Sequence, residues 1–213
     1  MRKPESVTIG ITAVGSGVGQ VVLDSLRDCP FPVRIIGFEA SAWAKGAYEC
    51  ERTYRIPYAS DPAYGETLLR CCREEQVDLL IPGSDTELPV LTQLAPIFAE
   101  EGSPILVSDP ECIRVCRDKL AFYEELAPLG APVVQTWLAS RVRAHAADLP
   151  YPLIVKPRGG SGSVGVQVLM EPQDWDLIPA GDDWVAQPYL LARSWFDEPQ
   201  GVEPYLARLR ATH

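Results

Sequence analysis

Apolar positions in the first half of the chain alternate between two patterns. Short β-branched runs read as buried strands, and longer stretches with apolar residues at helical spacing read as amphipathic helices. Residues 7–13 form the first run, and a glycine turn at 15–19 leads into a helix over 20–27. Pro30 and Pro32 end that helix, and residues 34–40 form a second strand. An edge strand over 53–57, a helix over 65–76, a strand over 78–82 and a helix over 87–98 continue the alternation. Pro89 falls in the first turn of that helix, where proline is tolerated. Residues 104–108 complete the series as a fourth buried strand. Strand–helix–strand order with apolar strands predicts an open parallel sheet with helices on both faces.

The texture changes near residue 112. Ser108, Asp109, Pro110 and Glu111 make a helix start, with a capping side chain, proline at the first helical position and an acid behind it. The spacing predicts one helix from 111 to 129 and strands over 133–137, 152–156, 165–169 and 184–187. A short loop joins the middle two, which predicts an antiparallel pair. The expected domains are therefore 1–112, α/β, and 113–213, α+β.

Composition narrows the functional classes. The 213 residues carry 19 Lys and Arg against 29 Asp and Glu, for a net charge of −10. A field of that sign repels nucleic-acid backbones, so a small-molecule substrate is expected rather than DNA or RNA. No apolar run approaches the roughly 18 residues of a membrane helix, and residues 1–6 lack the features of a signal peptide. A cytoplasmic protein without a membrane partner is expected. Six cysteines (Cys29, Cys50, Cys71, Cys72, Cys112 and Cys116) and two histidines, His145 and His213, show no zinc-site spacing, so free thiols and no metal ligands are expected.

The chemistry is concentrated at Lys156 and the run Arg158, Gly159, Gly160, Ser161, Gly162, Ser163, Val164, Gly165. Glycines let backbone N–H groups approach phosphate oxygens, and a lysine at the end of the preceding strand adds a point charge. The lysine precedes the glycines, whereas in a Walker-type loop it follows them. A flexible hairpin with a surface lysine is the bland alternative.

Several segments, in order, resemble the ATP-grasp superfamily, in particular its carbamoyl-phosphate-synthase-like branch. They are residues 81–91, Arg117-Asp118-Lys119, the stretch 151–165, and 184–189. The resemblance implies a Rossmann-like pre-ATP-grasp domain followed by the first subdomain of an ATP-grasp fold. It implies ATP and Mg²⁺ as cofactors, with Lys119 and Lys156 on the phosphates. Arg158, Gly159, Gly160, Ser161 and Gly162 would form the covering loop, and Gln187 and Tyr189 would bracket adenine. The family's chemistry is activation of a carboxylate as an acyl phosphate, which an amine or another nucleophile then attacks. Ser194 stands where the family places a ribose-holding acid, and Glu198 is the nearest acid. With the chain ending at His213, the second subdomain and its Mg²⁺ ligands are expected to be missing. A partner chain could supply them, and the alternative function is a non-catalytic nucleotide-binding module.

Two features of the front half stay open. Gly15, Gly17 and Gly19 follow a strand, and Glu39 ends the next one, which partly matches a dinucleotide fingerprint. An NAD-binding oxidoreductase is therefore a minor alternative. Asp85 and Glu87 are candidate substrate-side groups at a strand's C-terminal end, although Glu87 reads equally well as a first-turn acid favouring its helix dipole.

Overall fold

The computed structural model describes residues 6–190. The chain divides into two compact units, Met1–Arg114 and Val115–His213. Among the described residues no helix is long and apolar enough to cross a membrane.

The first unit is built on four parallel strands: β1 (Val7–Thr12), β2 (Val33–Glu39), β3 (Arg52–Arg55) and β4 (Leu79–Ile81). Their order is β3-β2-β1-β4, and Ile105 bridges Leu80 at the β4 edge. The strand expected over 104–108 shrinks to this one bridge, with Leu80 N–H on the Pro104 carbonyl and Leu106 N–H on that of Leu80. Helices α1 (Gly17–Arg27), α2 (Tyr64–Glu75) and α3 (Leu88–Glu100) connect and cover the strands.

Strand alternation explains why both faces need cover. Ile9 and Ile11 of β1 pack with Leu23 of α1 on one face. Ile36 and Phe38 of β2 and Leu80 of β4 pack on the other, against Leu68 and Cys72 of α2 and Leu91 and Phe98 of α3. Phe38, Phe98, Leu23 and Ile11 are buried to 2 % exposure or less.

The helix expected over 111–129 is broken. It forms α4 (Pro110–Arg117) and α5 (Lys119–Leu126), followed by a 3-10 turn. Asp118 between them is extended, and its carboxylate accepts from the N–H groups of Leu120 and Ala121. An aspartate that caps a new helix cannot also continue the old one.

The second unit's sheet joins β5 (Trp137–Leu138), β6 (Leu153–Pro157), β7 (Gln167–Leu169) and β8 (Trp184–Pro188) in the order β5-β8-β6-β7. Every pairing in it is antiparallel. A short helix, α6 (Ala139–Val142), follows β5. Leu153, Val155, Leu169, Trp175 and Ala186 form its core. The strand expected over 133–137 reduces to the two residues of β5, because only these pair with β8.

Candidate functional site

Side chains alternate along β6, and that alternation divides core from site. Leu153 and Val155 enter the core. Ile154 and Lys156 take the opposite face and line an open cavity of about 320 Å³. Gly159, Gly160, Ser161, Gly162 and Ser163 contribute loop backbone, while Pro157, Val164 and Val166 contribute apolar wall. Lys119, at the first position of α5, also lines the cavity. Lys119, Lys156, Gly159, Gly160, Ser161 and Gly162, to which the resemblance gave phosphate-side roles, therefore meet at one place.

The loop between β6 and β7 takes this path because of its glycines. Gly160 and Gly162 have φ of 88° and 68°, and a side chain built on either would meet nothing within 4 Å. These glycines are required by backbone conformation and not by crowding. Space therefore remains on the side-chain side of both residues.

The cavity's charge is one-sided: its lining includes two lysines and no carboxylate. Burial holds the Lys156 ammonium below its ordinary pKa range. Burial, and then repulsion from Lys156, do the same to Lys119. The Lys119 ammonium donates to the carbonyls of Arg158, Gly159 and Gly160 at 3.4, 3.3 and 3.0 Å. Two cations in a lining without a carboxylate, beside open backbone, suit an anion carrying several oxygens.

The remaining expected residues are placed elsewhere. Arg158 forms a two-pronged pair with Asp118 and does not line the cavity. Gln187 is buried at 3 % exposure, and its amide donates to Thr136 Oγ1 at 2.7 Å. Tyr189 N–H donates to the Pro152 carbonyl, and Arg158 N–H to that of Asp183. By ladder alternation the backbone groups of Gln187, opposite Ile154, also face β6. The backbone amides expected to bracket a base are thus turned toward the neighbouring strand. Ile154 was missed from sequence, although its place two residues before Lys156 was the available signal. Ser194 and Glu198 lie outside the described residues.

In the first unit, Asp85 is exposed and Glu87 is buried. The Glu87 carboxylate accepts from Thr12 Oγ1 at 2.6 Å and Tyr64 OH at 2.9 Å and makes no side-chain cap bond. Burial, opposed by those hydrogen bonds and reinforced by Glu39, raises its pKa. The glycine turn at 15–19 is filled by the protein itself. Gly15 N–H donates to the Glu39 carboxylate and Gly19 N–H to Ser16 Oγ, while Ser16 Oγ reaches the Gly83 carbonyl across the crevice between β1 and β4. A side chain on Gly15 would come within 2.6 Å of Ala44 Cβ. Gly15 and Gly19 have a packing reason while Gly17 stands in open space, and two of the amides a pyrophosphate would need are already engaged. Among the described residues no group of three or more His, Cys, Asp or Glu side chains could hold a metal.

The architecture, a parallel α/β unit followed by an antiparallel sheet with a glycine loop, is that of the front portions of ATP-grasp ligases. Residues 11–106 match the family described as PylC-like, N-terminal domain. The chain is homologous to the carbamoyl phosphate synthase large chain of Mycobacterium sp. (strain JLS), with 32 % identity over 83 residues, 38 % of this chain and 8 % of that one. It is 34 % identical over 103 residues to the uncharacterized protein y4rH of Sinorhizobium fredii, covering 44 % of this chain and 21 % of that protein. Among solved structures, N5-carboxyaminoimidazole synthetase from Staphylococcus aureus complexed with ADP superposes with a TM-score of 0.62 at 19 % identity, over 86 % of this chain and 47 % of that one. L-amino acid ligase from Bacillus licheniformis gives 0.63 at 16 %, over 88 % and 45 %. The chain thus spans about half the length of these solved structures and less of the curated relatives.

Proposed function

We propose that the second unit binds ATP in the cavity between Lys119, Lys156 and the glycine loop, as part of an ATP-grasp ligase that activates a carboxylate. The observation that carries this reading is the convergence of two lysines and an open glycine backbone on one cavity whose lining holds no carboxylate. The solved neighbour complexed with ADP supports the choice of nucleotide. Phosphoryl transfer depends on positioning and charge neutralisation, and these residues supply both. The two ammonium groups would hold the phosphates, and the loop amides would close over them. Past Ala186, where β5 no longer pairs with β8, ladder alternation turns the Pro188 carbonyl away from β6. It would accept from the base beside Gln187 and Tyr189.

Mg²⁺, when bound with the nucleotide, would supply further neutralisation of phosphate charge beside Lys119 and Lys156. Among the described residues no cluster of three or more His, Cys, Asp or Glu side chains offers to hold it. A small carboxylate substrate and a partner chain that completes the site belong to the same proposal.

Calorimetric titration with ATP tests it. Lys156→Ala should weaken binding by between about ten- and a hundredfold, because a hydrogen bond to a charged group contributes roughly 1.5–3 kcal/mol. An unchanged affinity would sink the proposal. Binding without ADP release in the presence of Mg²⁺ and amino acids would instead assign a non-catalytic nucleotide module.

A further inference from the structure

The guanidinium of Arg158 is engaged on three sides. Its Nε donates to Asp118 Oδ1 at 3.2 Å, Nη2 donates to Asp118 Oδ2, and Nη1 reaches the Asp182 carbonyl at 3.3 Å. Such a fork fixes orientation as well as distance. Asp118 meanwhile caps α5 through the N–H groups of Leu120 and Ala121. The two backbones are also joined directly, since Lys119 N–H donates to the Arg158 carbonyl at 3.0 Å. The Lys119 ammonium adds contacts to the next two carbonyls of the loop. Thus the residues carrying Lys119 and the first half of the glycine loop are clasped together at charge, amide and ammonium.

We infer that Arg158 is a positioning residue: paired with Asp118, it clasps the start of the loop to the start of α5 and so holds Lys119 and Lys156 over one cavity. This assignment rests on the nucleotide reading above and differs from a direct phosphate contact by Arg158. As a ligand, the guanidinium would have to leave both Asp118 and the Asp182 carbonyl. As a clasp, it stays where it is and acts through Lys119.

Two substitutions separate these roles. Asp118→Asn removes the charge and keeps a good capping side chain. Arg158→Gln removes the fork. Calorimetry on the full chain should show each weakening ATP by about tenfold, the scale of one charge-assisted hydrogen bond. The double variant should be no weaker than the worse single variant, since one broken clasp cannot be broken again. Adenosine affinity should stay within about twofold in all three, because the clasp orders only phosphate-binding groups; a general collapse of the unit would lower both. If Asp118→Asn tightened ATP binding while Arg158→Gln weakened it, Arg158 would be a ligand freed from its partner, and the inference would fall. Amide hydrogen exchange at Lys119 and Arg158, whose N–H groups donate to the Arg158 and Asp183 carbonyls, measured without nucleotide, keeps the test independent of the ATP proposal. Equal acceleration in both variants supports the clasp even if wild-type protein binds no ATP, and unchanged exchange overturns it.

Discussion

The protein has two glycine-rich turns, each following a strand, and they do opposite things. The turn at 15–19 is consumed by its own fold: Glu39 and Ser16 take its amides, and Ala44 fills the space beside Gly15. The loop at 158–165 has positive φ at Gly160, Gly162, Ser163 and Gly165 and empty space around Gly160 and Gly162. Gly15 and Gly19 are needed because atoms come too close. Gly160 and Gly162 are needed because the backbone turns the wrong way for a side chain. Glycine content marks a special backbone, and only the neighbours decide whether a ligand has room there.

The contrast can be broken by adding side chains. Lys156→Ala stands as the largest expected change, in nucleotide affinity with little change in melting temperature. Next, Gly15→Val should cost about 1–3 kcal/mol of stability through overpacking and leave ATP affinity unchanged, read by denaturant unfolding and titration. A stable Gly15→Val variant would mean that the turn is more open than Ala44 allows. Gly160→Ala should do the reverse. Its left-handed φ costs roughly 1–2 kcal/mol locally, which should appear mainly as up to about tenfold weaker ATP binding, with the melting temperature nearly unchanged.

The smallest expected effect is a pH dependence in the first unit. The folded pKa of Glu87 lies above its ordinary value, so the folded state holds the proton more tightly than the unfolded chain. Stability should therefore decline as pH rises from the ordinary carboxylate pKa, about 4.3, through the raised folded value. Glu87→Gln should flatten that slope in isothermal denaturation between pH 4 and 8, a range chosen around that ordinary value. A slope unchanged in Glu87→Gln would place its origin elsewhere.

Much of this was readable in the residues. Apolar runs of β-branched residues marked β1, β2 and β4, because a parallel strand covered on both faces has no polar side to show. The cavity-lining loop was legible from Lys156 and its glycines, and the place of Lys119 beside it from the resemblance. The break at Asp118 also had a signal, an aspartate directly before a helical run, but continuous helical spacing through 111–129 masked it. β5 was overread, since strand character at 133–136 finds no partner.

The role of Arg158 could not be read locally, because its partner Asp118 lies 40 residues away. Glu87 is a similar case, since Thr12 and Tyr64 claim its carboxylate across the fold. By itself the sequence determined the alternation of elements and the presence of a glycine-rich loop behind Lys156, which depend on neighbouring side chains and backbone freedom. Only the tertiary structure decided which glycine turn is open, which cation faces the cavity and which is a clasp, because those depend on distant groups competing for the same charge and space.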